Sequence, residues 1–232
     1  MPGITQLQVF KRSQNMNYKK LTSTYLVVLL ALTVTQAKPQ ADYGSGAIKT
    51  KDGFLLVWNA PNNYYTLEIK GKNVRQASTE RVQFSVDGMF LQILTAPVKD
   101  FIEDAKRAKM NDRAILEAHR DWEVNFMESA YKEKLKVESA WQKLSNGKDA
   151  LAWQITVPES AHSNVKKQVS LTSVKGDYVM MLGGVVTDTI EEHASQQLLL
   201  NTMETLKVSN EPIDLRKLQE ATRKDAAKGG TD

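Results

Sequence analysis

Three histidines are the side chains best suited to proton chemistry near neutral pH, and each has carboxylates or hydroxyls close by in sequence. His119 stands between Glu117 and Asp121, with Glu123 four residues on. On a helix a histidine and a carboxylate at i, i+4 share a face and can chelate a divalent cation. The plainer reading, a solvated face with ordinary charge pairs, is preferred. His193 follows Glu191 and Glu192 at the start of a predicted helix, where carboxylates complement the dipole, so a structural account suffices. His162 lies in the polar loop Pro158–Asn164 with Ser160 and Ser163, but no Gly-x-Ser-x-Gly nucleophile elbow occurs. Neither a Gly-x-x-x-x-Gly-Lys-Ser/Thr nor a Gly-x-Gly-x-x-Gly phosphate loop is found. No catalytic, cofactor-binding or metal-binding set is predicted, and the chain reads as a non-enzyme.

Two further features have a functional and a structural reading. Gly183-Gly184 interrupts an apolar strand; a bulge or sharp twist is preferred over a backbone brought close to a ligand. Among the aromatics, Trp122 fits a helical stripe and is expected in the core, as aromatics at such positions usually are. Trp141 and Trp153, with Tyr64 and Tyr65, are the candidate interface residues, because one side of an antiparallel sheet can serve as a binding surface and interface anchors are rich in Trp and Tyr.

The N-terminal region changes how all of these are read. Lys19 and Lys20 precede an apolar run, Tyr25–Val34, and Thr35-Gln36-Ala37 provides small residues at a cleavage site, the pattern of an export signal. The competing reading is a retained anchor. Leu21–Val34 as a helix spans roughly 21 Å, short of the about 30 Å of a bilayer core, and four of its residues are Thr or Ser. Cleavage after Ala37 is therefore expected, with either Met1 or Met16 as the start, and an exported, periplasmic or extracellular protein with no membrane span after cleavage.

Removing residues 1–37 also removes the apparent basicity. The chain has 31 Lys+Arg and 27 Asp+Glu. Lys11, Arg12, Lys19 and Lys20 all lie in the leader, which has no acidic residue, so the mature chain is formally neutral. That argues against nucleic acid as a partner, since phosphate recognition needs a basic field. There is no cysteine, hence no disulfide framework and no thiolate chemistry. The roughly 195 residues after Ala37 must rely on a packed core, and a single domain of that size buries about 70% of its unfolded surface.

The elements that must position these residues follow from periodicity. Residues 38–51 read as a flexible lead-in. Extended runs are predicted at Phe54–Trp58, Tyr64–Ile69, Arg81–Val86 and Met89–Leu94, the last two joined at Asp87-Gly88. Lys99–Met110 is a short helical candidate. Ile115, Ala118, Trp122, Phe126 and Ala130 then recur at helical spacing. Val137–Leu144 and Ala150–Val157 are joined through Asn146-Gly147, and Lys167–Thr187 is split at Lys175-Gly-Asp177. Thr189-Ile-Glu-Glu192 reads as a capping box opening the last main helix. Residues 210–232 read as a charged tail, within which Ile213–Lys228 is weakly amphipathic and a candidate for a loose helix. Hairpins as the local connections force antiparallel pairing, so the fold class is α+β, an antiparallel sheet flanked by helices.

In this order of elements residues 52–209 resemble the PsbP-like α/β/α sandwiches, a group that includes photosystem II extrinsic proteins, Ran-binding Mog-type proteins and bacterial exported DcrB-type relatives. The resemblance is carried by the hairpin ending in Leu91–Pro97, by Val137–Trp153 with a Trp on each of two strands joined at Asn-Gly, and by Tyr178–Val186 leading into the capped helix. It implies a non-catalytic accessory or binding module and transfers no residue set. The expected function is an exported protein of the cell envelope or periplasm that recognises a protein partner through its surface. The alternative is a small-molecule or lipid carrier with a pocket between sheet and helices.

Overall fold

The computed structural model describes residues 44–78, 82–161 and 163–228, with side chains described through residue 223. The leader, residues 38–43 of the lead-in, Arg81, His162 and the Gly229-Gly230 end lie outside the described residues.

Among the described residues eleven strands form two antiparallel sheets. The smaller has the order β1 (Gly46–Thr50), β2 (Gly53–Ala60), β3 (Asn63–Lys70), β11 (Lys207–Ser209). The larger runs β4 (Val74–Ser78), β5 (Gln83–Val86), β6 (Met89–Pro97), β10 (Tyr178–Val186), β9 (Lys167–Lys175), β8 (Asp149–Thr156), β7 (Val137–Lys143). Helices are α1 (Asp104–Arg107), α2 (Asp112–Tyr131), α3 (Glu192–Met203) and α4 (Leu215–Lys228). Every strand pair is antiparallel, as hairpin connections require. The α+β class holds.

The turns are made by the residues that tolerate them. Asp87 (φ 51°) and Gly88 (φ 85°) are both left-handed, the signature of a type I′ hairpin. Between β2 and β3, Pro61 presets the first turn position and Asn62 (φ 58°) takes the left-handed second one.

Alternation along the strands separates two faces of the large sheet. Leu151, Trp153 and Ile155 face α2, where Gln168 Nε2 donates to the Tyr131 hydroxyl at 3.2 Å. The other face carries Leu91, Ile93, Val169, Leu171, Met180 and Leu182. It packs on Leu198, Leu199 and Met203 of α3 and, beside α3, on Leu56, Tyr65, Leu67 and Ile69 of the small sheet. The outer side of that small sheet buries Ile48 and Val57 against Leu215 of α4.

Several expectations need correction. Gly46–Thr50, read as lead-in, is a strand, because Ile48 has an apolar partner in Leu215 that local sequence does not reveal. The 210–232 tail is likewise joined to the domain through Ile213 and Leu215. The bulge at Gly183-Gly184 is absent: β10 pairs with β9 in unbroken register through both. Gly184 instead admits α3, since a Cβ there would lie 2.5 Å from Ser195 Oγ. The capping box at Thr189 does not form. The helix starts at Glu192 without a side-chain cap, while Thr187 Oγ1 accepts from the N–H groups of Thr189 and Ile190 in the preceding turn.

Candidate functional site

β7 is an outer strand of the large sheet, and its sequence, Val-Glu-Ser-Ala-Trp-Gln-Lys, is half-buried at most. Asn111 caps α2, its Oδ1 accepting from Ala114 N–H at 2.9 Å, so the helix begins beside the β7–β8 turn. That start puts Arg113 over the Trp141 ring, with Cζ 4.7 Å from the centroid, a cation–π pair at the sheet edge. Arg113 Nε also donates to Asp149 Oδ2 at 2.8 Å, and Lys143 Nζ to Asp149 Oδ1 at 3.0 Å. The Arg113 hydrogen bond, then that of Lys143, holds the Asp149 carboxyl down at about 2. Two turns further along the same side of α2, Arg120 donates to Ser139 Oγ at 3.3 Å. This corner brings together an aromatic ring, a guanidinium and an outer strand. Arg113 and Lys143 are both ion-paired with Asp149.

The other three predicted aromatics lie elsewhere. Trp153 shares the α2 face with Trp141 but sits on an inner strand and is 4% exposed. Tyr65 is in the core at 1% exposed, stacked on Trp58 at 6.1 Å, and burial pushes its hydroxyl pKa far up. Tyr64 points the opposite way, half-buried on the outer side of the small sheet and paired with Asn59 and Ser209. The structure therefore does not bring the four together. Trp141 is the one on an outer strand of the large sheet.

His119 is the largest departure from expectation. It does not lie on a solvated face: it is 1% exposed and Glu123 5%, because α2 is rotated relative to the predicted stripe and buries Ile115, Leu116, His119, Glu123, Val124 and Met127. Trp122, expected in the core, is half-buried on a flank of that face beside Phe101 at 5.8 Å. Phe101 meets His119 edge-on at 5.2 Å. His119 Nε2 lies 3.8 Å from Glu123 Oε1, longer than a hydrogen bond, and Nδ1 has no partner. Burial pushes the imidazole down to about 3 and the carboxyl up to about 7. The pair suits a neutral structural role, and among the described residues no group of three His, Cys, Asp or Glu side chains could hold a metal. His193, as expected, sits exposed in the first turn of α3, next to a Glu192 paired with Lys167 at 2.6 Å.

Sequence reasoning missed Lys175. It is 5% exposed at the end of β9, donates to Asn63 Oδ1, and stands 4.5 Å from the Tyr65 ring centroid. Burial, then repulsion from Lys148, pushes it down to about 8. Strand parity was the available signal, since Val169, Leu171 and Ser173 place position 175 on the inner face. The same parity lines up Gln83, Gln92, Gly183 and Ser170 across four strands on the α2 face, with Gln83 Nε2 and both amide atoms of Gln92 buried and unpartnered.

A cleft of about 400 Å³ lies at the end of α2, lined by Asn125, Glu128, Ser129, Lys132, Glu133 and Lys134. Its charged lining is unlike the mostly apolar wall of a small-molecule site. Among the described residues no helix is long and apolar enough to cross a membrane.

No protein-family model matches the chain, and no curated protein matches it. Among solved structures it is similar to the solution structure of a cyanobacterial PsbP (CyanoP) from Synechocystis sp. PCC 6803. The identity is 10%, the match covers 76% of this chain and 99% of that one, and the TM-score is 0.37.

Proposed function

We propose that this chain is an exported, non-catalytic accessory or binding protein of the cell envelope or periplasm, which recognises a protein partner through its surface. Export rests on the leader pattern of residues 19–37. The observation that carries the recognition reading is the Trp141–Arg113 pair on the outer strand β7. Trp and Arg are the residues most enriched among interface hot spots, and here a half-buried ring is already oriented by the guanidinium and by an ion-paired Asp149. The non-catalytic reading is supported by His119, whose neighbours are Phe101, Trp122 and the Glu123 carboxylate at 3.8 Å rather than a nucleophile.

Affinity capture from the protein's own envelope fraction tests the reading. Capture of a partner is expected, and Trp141→Ala should weaken it by about 30-fold, the effect of losing a hot spot worth about 2 kcal/mol. Capture that is indifferent to Trp141→Ala, or none at all, overturns it. The carrier reading has its own support in the unpartnered buried amides of Gln83 and Gln92. Lipid found with the purified protein by mass spectrometry, in the absence of any captured partner, would favour the carrier.

A further inference from the structure

The outward chemistry of β7 follows from the two bonds that close its hairpin. Thr156 N–H donates to the Lys136 carbonyl at one end, and Leu144 N–H to the Lys148 carbonyl at the other. In an antiparallel ladder, residues whose N–H and C=O point to the neighbour alternate with residues whose groups point away. Positions 136, 138, 140, 142 and 144 thus face β8, and Val137, Ser139, Trp141 and Lys143 turn their backbone groups outward. No bulge or proline interrupts these seven residues, although those are the usual guards of an edge. The other described edges are poorer templates. β4 shifts register between Gln76 and Ser78, β11 has three residues, and β1 has five.

We propose that β7 pairs antiparallel with β7 of a second copy of this chain, joining the two large sheets about a two-fold axis at Ala140. The register centred there overlaps all seven strand residues, whereas a two-residue slip either way loses two of them. It sets Ser139 opposite Trp141, a small side chain against a large one, and Glu138 opposite Gln142. Lys143 meets Val137, Lys136 meets Leu144, and Ala140 meets its counterpart. No like charges are opposed, so the lysines at the strand ends do not guard against this partner. Opposed residues share a sheet face, so the two Trp141 rings become diagonal neighbours roughly 7–8 Å apart. The two Trp141–Arg113 corners then merge into one double-sized surface. The pairing stands independently of the partner reading: capture abolished with the dimer intact, or the reverse, tells the two apart.

Sedimentation velocity of the purified protein over a concentration series is the test. The parent should be a concentration-dependent dimer. Ala140→Lys and Ala140→Glu, at an exposed position, each place like charges on the axis and should give monomers, while their equimolar mixture regains the dimer. Ser139→Pro removes an outward N–H without touching the β8 ladder and should give a monomer that melts cooperatively. In the parent dimer the amides of Ser139 and Trp141 should exchange more slowly as concentration rises, and that of Ala140 should be protected throughout. A parent that stays monomeric up to about 1 mM, a dimer indifferent to Ala140→Lys, or outward amides that exchange freely in the dimer each overturn the proposal.

Discussion

His119 and Glu123 share one low-dielectric environment, and its consequences for them have opposite signs. The unfolded chain protonates His119 near 6.5, the folded one only near 3. Acidification from about 6.5 toward 3 therefore favours unfolding, because the unfolded state binds the extra proton. Glu123 holds its proton up to about 7 when folded, against 4.5 unfolded, so its contribution is lost as pH rises from 4.5 through 7. Glu123→Gln, which mimics the protonated form, should gain on the parent across that window by on the order of 1–3 kcal/mol. His119→Leu should gain on the parent as pH falls below 6.5. Urea midpoints at pH 4.5, 6 and 8 read both. A Glu123→Gln advantage that is flat with pH would show that the carboxylate is ionised in the fold. Lys175, pushed down to about 8, binds its proton more weakly folded than unfolded. The parent should thus gain stability relative to Lys175→Met between pH 8 and 10.5, measured the same way.

The two glycines of β10 make opposite predictions at the scale of elements. Gly184 is where α3 rests on the sheet, and a Cβ would meet Ser195 Oγ at 2.5 Å and Val169 Cγ2 at 3.3 Å. Gly184→Ala should cost about 1–3 kcal/mol by forcing helix and strand apart. Gly183→Ala, whose Cβ would meet only Gln92 Cβ at 3.9 Å, should be within about 0.5 kcal/mol of the parent. Helix starts separate in the same way. Asn111→Ala removes a formed cap and should cost about 1 kcal/mol, while Thr189→Ala removes a motif that is never made and should cost almost nothing. Equal losses for each pair in chemical denaturation would contradict the packing described. Element types were legible because the apolar period changes from two to three-and-four at Asp112. Which face of α2 is buried was not, because Trp122 and Phe126 completed a stripe as regular as the buried one.

For the whole molecule, the outer side of the small sheet depends on a helix that composition marks as a tail. Ending the chain at Ser209 should uncover Ile48 and Val57, which Leu215 covers. The truncated protein should melt several degrees lower, as loss of about 1–2 kcal/mol implies for a domain of this size, and bind a hydrophobic dye. An unchanged melting temperature would mean that α4 contributes nothing to the fold.

Sequence alone determined the leader pattern, the neutral charge of the chain beyond Ala37, the hairpins and the α+β class, since these depend on composition or on neighbours within a few residues. Asp87-Gly88 favours a left-handed two-residue turn through local sterics alone, and it makes one here. Only the tertiary structure decided that His119, Glu123 and Lys175 are buried, that Trp141 and not Trp153 reaches the edge, and that Gly184 marks a helix contact. Burial is a property of what packs on a residue from far along the chain. The dielectric that moves a proton, and the open edge that awaits a partner, exist only once the sheets have stacked.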